Sequence, residues 1–186
     1  MDAMDQTLTE THPPVATPVT AAVATPAAGP AAGQVGDPAA PPLDADQMRA
    51  WVAFIQVATH ALDRLDHELQ AAHQLTLGDY EILVSLSAEP EHRLQMSTLA
   101  ARSLVSQSRL TYRVDRLEKR GFVERVPCPT DGRRIWAELT PTGFAALEAA
   151  YPVHLEGVRR YVVDPPARED LAAATRALEA MLAALS

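Results

Sequence analysis

The sequence predicts a mainly α-helical fold carrying one small β-hairpin, and three observations point there. Apolar residues recur at steps of three and four from Asp44 onward and again beyond Thr140, the spacing of one helix face. Between these stretches, Phe122–Val126 and Ile135–Leu139 alternate apolar with polar residues, the period of a strand. A chain of 186 residues with 47% hydrophobic content can also bury a real core in one domain and still carry an appendage.

Residues 1–43 are the appendage. Ala, Pro and Thr dominate them, Lys and Arg are absent, and Pro13, Pro14, Pro18, Pro26, Pro30 and Pro38 forbid a continuous helix or central strand. Too few large apolar groups remain to offset ordering entropy, so the expectation is a disordered tail. The first basic residue is Arg49, so the start of the chain lacks the positive region of a secretory signal. The longest apolar runs are alanine-rich and broken by proline or charge, unlike a membrane span. One cysteine, Cys128, excludes an intramolecular disulfide framework and suits a reducing compartment. A soluble, cytoplasmic protein is expected.

Within 44–186 the elements follow in order. Met48, Trp51, Val52, Ile55, Ala58, Leu62, Leu65 and Leu69 mark a first helix reaching about Ala72. Thr76 with Asp79 is a capped start for a second helix carrying Tyr80, Ile82, Leu83 and Leu86, closed by Pro90. Arg93–Gln95 reads as a short strand. Ser97 is the expected N-cap of a short third helix ending at Arg102, and Leu104-Val105 breaks the chain. Ser106 then caps a fourth helix, with Leu110, Val114 and Leu117 facing inward and Gly121 just past its end. Two helices joined by so short a turn form a helix-turn-helix. Between the two strands lies Pro127–Arg133, whose Asp131-Gly132 is a turn signal, giving a hairpin with a basic tip, a wing. Thr140-Pro141 starts a long helix to about Val163, passing Pro152, and Asp164-Pro165-Pro166 separates it from a final Ala/Leu helix ending near Leu185. The predicted fold is therefore a winged helix-turn-helix core, about 76–139, flanked by terminal helices at about 44–72 and 140–186. Those flanking helices carry apolar faces that one subunit hardly covers, which points to dimerisation.

Charge is distributed unevenly. Between Arg93 and Arg134 stand ten basic against four acidic side chains, a local charge of +6 that leaves −14 on the rest of a chain whose net charge is −8. A basic segment in an acidic protein suits phosphate binding, which releases condensed counterions; a solvated basic face is the plainer reading.

The stretch MSTLAARSLVSQSRLTYRVDRLEKRGFVER, Met96 to Arg125, resembles the DNA-reading head of the MarR family. Asp131-Gly132-Arg133 followed by Leu139-Thr140 and Gly143 resembles the same family's wing. The similarity spans roughly 44–186 and departs from the pattern at Ala137, where a larger β-branched residue is common. It implies a triangular homodimer that regulates transcription from a pseudo-palindromic operator in double-stranded DNA. Repression relieved by a small aromatic effector would then be the expected mode of control.

On that reading the side of Ser106–Arg120 opposite the apolar stripe presents Ser108, Arg109, Tyr112 and Arg116 to the major groove, with Gln107 and Thr111 beside it. Gln107 is a candidate for adenine, and Arg109 or Arg113 for guanine or phosphate. Arg133 sits where a wing enters the minor groove, Asp131 would orient it, and Arg134 is a phosphate candidate. Ser97 and Thr98 are further phosphate candidates near a helix start. For each polar residue the plainer role is solvation. Cys128, between two prolines on the wing, is expected to be exposed and incidental, with only Arg125 near it in sequence. His60 and His67 lie seven apart on one helix with no i, i+4 partner, so surface or core roles are favoured over a metal site. Tyr80, Trp51 and Trp136 are candidates for an effector pocket, with packing the plainer role. No phosphate loop, nucleophile elbow or acidic metal cluster supports an enzyme, and no cofactor is expected. A winged helix that binds protein instead of DNA is the alternative function.

Overall fold

The computed structural model describes residues 41–103, 106–128 and 131–185, with the backbone alone at 131–133. The expectations for the tail, for the Leu104-Val105 break and for the loop tip at Pro129-Thr130 lie outside the described residues.

Helix α1 (Ala45–His73) opens with a reciprocal cap, Asp44 accepting from Gln47 N–H while the Gln47 side chain accepts from Asp44 N–H. It ends at Gln74 in the left-handed region, φ 55°. Helix α2 (Leu77–Ser87) starts on the predicted Thr76/Asp79 box, with both halves formed. Strand β1 (Arg93–Gln95) leads directly into α3 (Met96–Arg102), and α4 (Gln107–Lys119) ends on Arg120 and on Gly121 at φ 71°. Strands β2 (Val123–Cys128) and β3 (Asp131–Leu139) form the wing, and β1 pairs antiparallel to the other edge of β3, giving the order β1-β3-β2. Helix α5 (Pro141–Val158) runs through Pro152 and continues as a π-helical turn, Arg159–Val163, before α6 (Arg168–Leu185).

Three sequence expectations differ from the structure. Ser97 does not cap α3. Gln95, still paired with Trp136 in the sheet, delivers the chain in extended geometry, so Gln95 is the cap and makes no side-chain cap bond. The wing strands also run further toward the tip than the Asp-Gly signal suggests. Pro127 pairs with Ile135 but Cys128 pairs with Asp131, so Gly132, Arg133 and Arg134 fall between consecutive partners and Asp131-Gly132 belongs to β3. Proline lacks the N–H that a regular ladder needs, and the irregularity follows it directly. The shift also inverts the in/out parity of β2. Strict alternation from buried Val123 would turn Cys128 outward; the irregularity turns it inward, where it is 8% exposed. Cys128 is therefore buried, against the expectation.

The core gathers α2 (Tyr80, Ile82, Leu83, Leu86), the α4 stripe Leu110, Val114 and Leu117, and Leu99, Val123, Ala137 and Leu147. Ala137 is fully buried opposite Leu94 and Arg125, so its small side chain sits at the crowded centre of the sheet. The outer helices contrast with this. Met48, Trp51, Val52, Phe54, Ile55 and Leu62 of α1 are exposed, and α6 buries no residue. Among the described residues no helix is long and apolar enough to cross a membrane.

Candidate nucleic-acid interface

Helix α4 forms because Leu110, Val114 and Leu117 supply one buried stripe at i, i+4 and i+7 while the remaining positions stay polar. Burial of that stripe forces the opposite side outward. Ser106, Gln107, Ser108, Arg109, Thr111 and Tyr112 are all exposed, Tyr112 at 67%. Ser106 is the N-cap residue as predicted, yet its hydroxyl lies 3.2 Å from that of Ser108 and caps no backbone amide. Among the described residues the first N–H groups of α4 thus have no side-chain cap.

Two grooves flank the helix. One, of about 360 Å³, is lined by Thr76, Ser108, Arg109, Tyr112, Arg113 and Arg116. The other, of about 540 Å³, lies between α3, α4 and the wing and brings together Ser97, Thr111, Arg125 and Arg134. Most of the predicted contact residues therefore line one or other of these two grooves, contributed by α3, α4 and β3. Ser97 and Arg134 are exposed and Thr98 is half-buried. The side chains of Asp131 and Arg133 lie outside the described residues.

The basic residues divide into two groups that the sequence did not separate. Arg116 reaches α2, pairing with buried Asp79 and donating to Thr76 Oγ1 at 3.1 Å, while its half-exposed side chain lines the same groove as Arg109. Arg120 donates to the backbone carbonyls of Gln74 (2.6 Å) and His73 (3.4 Å). Arg125 bridges Asp115 (2.6 Å) and Glu118 (2.5 Å), tying β2 to α4. Arg102 pairs with Glu89 at 2.5 Å, and Arg93 pairs with Glu91 and lies over the Trp136 ring. Half of the ten cations thus hold the fold together. Arg109 and Lys119 make no ion pair among the described residues. The pattern was hidden because clamps such as Arg116 to Asp79 and Arg120 to Gln74 join residues distant in sequence.

The MarR family model matches residues 75–135, from the last turn before α2 to the middle of β3. Over 116 residues the chain is 31% identical to the HTH-type transcriptional repressor YetL of Bacillus subtilis (strain 168), covering 62% of this chain and 69% of YetL. The chain belongs to the MarR family. Solved structures of MarR family transcriptional regulators agree in fold. Sco3205 of Streptomyces coelicolor, in complex with DNA, superposes with a TM-score of 0.74 at 33% identity, covering 79% of this chain and 92% of its own. AbsC of the same organism gives 0.73 at 34% identity, covering 78% and 98%. The MarR family comprises transcriptional regulators, and the winged helix-turn-helix core and flanking helices of this member are the architecture that its resemblance implied.

The aromatic candidates for an effector pocket separate in this MarR-family chain. Tyr80 is buried in the core and stacks on His154 of α5. Burial, with Tyr151 adding to it, pushes the Tyr80 phenol up to about 12, and burial lowers the His154 imidazole below its ordinary value. Trp51 is 54% exposed on α1, and half-buried Trp136 packs under Arg93 on the sheet. Burial raises the Glu81 carboxyl, partly offset by Arg113. Among the described residues no three His, Cys, Asp or Glu side chains gather as a metal site, and His60 and His67 are both exposed on α1.

Proposed function

We propose that this protein is a cytoplasmic, homodimeric transcriptional regulator that binds a pseudo-palindromic operator through α4 and the wing, and a repressor released by a small aromatic effector. The observation that carries this reading is the outward face of α4, where Gln107, Arg109 and Tyr112 stand exposed beside backbone amides with no side-chain cap. A helix presented in this way fits the major groove, with its N-terminal residues on base edges. Sco3205 in complex with DNA supports the same use of the fold.

The contacts divide by position. Gln107, Ser108 and Arg109 would read bases, with Thr111 and Tyr112 at the side of the groove. Arg113, Arg134, Ser97, Thr98 and Ser106 would contact phosphates, and Arg133, oriented by Asp131, would enter the minor groove. Arg116 contributes through α2 instead of directly. The reading core is assigned to about 76–139. The helices at about 44–72 and 140–186 are assigned to dimerisation, because the exposed apolar side chains of α1 and α6 need a covering surface. The tail, 1–43, stands outside both. Repression follows the name of YetL, which is a repressor.

The test is a salt titration of binding to a labelled duplex, together with sedimentation of the protein alone. The reading expects log Kd to change steeply with log salt, by about 0.9 per phosphate contacted, and a dimer at micromolar concentration. No binding at low salt, a flat slope or a monomer defeats it.

A further inference from the structure

We infer that Asp79, fully buried beneath Arg116 and Thr76, is a positioning residue that sets the orientation of α4 and hence the ability of the protein to tell one duplex sequence from another. The inference rests on the DNA-binding reading of α4 given above.

The geometry begins with the cap of α2. Asp79 Oδ2 accepts from Thr76 N–H at 3.0 Å, and Thr76 Oγ1 accepts from Asp79 N–H at 3.1 Å. Both acceptor oxygens of that cap are used a second time. Arg116 Nη2, arriving from α4, donates to Thr76 Oγ1 at 3.1 Å and to Asp79 Oδ2. The N-terminal turn of α2 is thus a preformed receptor for one arginine of the reading helix. A fixed receptor matters because the Leu110/Val114/Leu117 stripe holds α4 by non-directional packing, which tolerates a small roll or tilt. Hydrogen bonds to a buried carboxylate are directional and do not.

Arg116 lies seven residues from Arg109, about 10 Å along the helix axis at 1.5 Å per residue. A tilt of about 6° at Arg116 therefore moves the Arg109 end by about 1 Å, enough to spoil hydrogen bonds to base edges. Contacts to phosphates, which long flexible side chains follow, tolerate such a shift better. Asp79 thus bears on sequence selectivity more than on general attraction to DNA.

The pair is also poorly built for stability alone. Among the described residues Asp79 Oδ1 finds no hydrogen-bond partner although it is buried, and Asp79 is 0% exposed. Buried ion pairs with such deficits are weak contributors to folding, and their best attested use is fixing one arrangement among several.

The experiment compares wild type, Asp79→Asn, Arg116→Gln and the double variant by fluorescence anisotropy. The probes are the duplex that the wild type selects from a random-core library and a duplex of scrambled sequence, each titrated with salt. Far-UV circular dichroism checks folding. Asp79→Asn should weaken binding to the selected duplex about tenfold, within the coupling expected of one ion-pair network, and leave the scrambled duplex and the salt slope unchanged. Arg116→Gln should do the same, and the double variant should be no weaker than the worse single. Unchanged selectivity in Asp79→Asn overturns the inference. So does a fall in the salt slope of Arg116→Gln by about one phosphate, which would make Arg116 a direct contact. If a single variant fails to fold, the double variant leaves neither charge buried alone; lost selectivity at an unchanged slope supports the inference, and wild-type selectivity overturns it. A wild type that binds neither duplex defeats the DNA reading itself, whereas a binding wild type with an unaltered variant defeats only the role of Asp79.

Discussion

Tyr80 of α2 and His154 of α5 stack with ring centroids 4.4 Å apart and planes 19° from parallel. The contact joins the reading core to a flanking helix, and it makes folding sensitive to acid. Burial lowers the His154 pKa in the folded protein. Below the ordinary value of 6.5 the unfolded chain takes up a proton that folded His154 refuses, so stability is full above that pH and declines as pH falls through it. His154→Phe keeps an aromatic ring but removes the titration. The drop in Tm between about pH 7.5 and about pH 5.5 should shrink in this variant. Burial of Glu81 acts in the opposite direction, since its raised pKa favours the folded state in acid, but it is common to both proteins and cancels in the comparison. Equal drops in Tm would show that the stack carries no such linkage.

Basic residues that serve the fold should be distinguishable from those that serve DNA. Arg109 is exposed with no ion pair among the described residues, whereas Arg125 bridges Asp115 and Glu118. Arg109→Ala is expected to reduce the slope of log Kd against log salt by about 0.9. Arg125→Ala should leave that slope nearly unchanged and lower stability by about 1 kcal/mol, since Arg125 is only partly exposed and its partners are more so. Salt titrations and melts of both variants check this, and a slope change for Arg125→Ala would move that residue to the interface.

These pairs also show what the sequence could carry. The Thr76/Asp79 cap, the α4 stripe and the Gly121 terminus were legible because each depends on residues a few positions apart. The second use of Asp79, as acceptor for Arg116, was not legible, because 37 positions separate the two and only packing of α2 on α4 joins them. Arg116 therefore read only as a DNA-facing cation, with its partner in α2 unseen. Burial of Cys128 failed for a related reason: its side was set by a register shift against β3, which nothing local to Pro127-Cys128-Pro129 announces. The cap of α3 moved from Ser97 to Gln95 because pairing with Trp136 outranked the better capping side chain.

Gln107 and Arg133 should differ in the kind of binding they lose. Gln107 is exposed in the first turn of α4, where on the proposed reading its amide would pair with adenine, and one such bidentate pair is worth about 1–3 kcal/mol of discrimination. Gln107→Ala is expected to change which duplexes are preferred, whereas Arg133→Ala should weaken all of them alike. Binding to a panel of single-base variants of the selected duplex measures the difference. Parallel losses across the panel for both variants would remove the division of labour.

Two glycines make the sharpest contrast for stability. At Gly143, in the first turn of α5, an added Cβ would run into the Phe122 carbonyl and lie 2.9 Å from Leu139 Cδ1. Backbone cannot yield there, because Thr140 N–H donates to that same carbonyl at 3.1 Å and Thr140 Oγ1 donates to Gly121 C=O at 2.6 Å. Gly143→Ala should therefore cost about 1–3 kcal/mol, the usual range for overpacking. At Gly78 the obstruction is the Arg113 guanidinium, the far end of a flexible side chain, and φ there is not positive. Gly78→Ala should swing Arg113 aside, and the gain in helix propensity of about 1 kcal/mol offsets the lost contact. Denaturant melts should thus separate two chemically identical substitutions, with Gly78→Ala near wild type. Equal destabilisation would mean that Arg113 is held against α2 as firmly as Phe122 is held against α5, and that Arg113 too belongs with the clamps and not with the DNA-facing side chains.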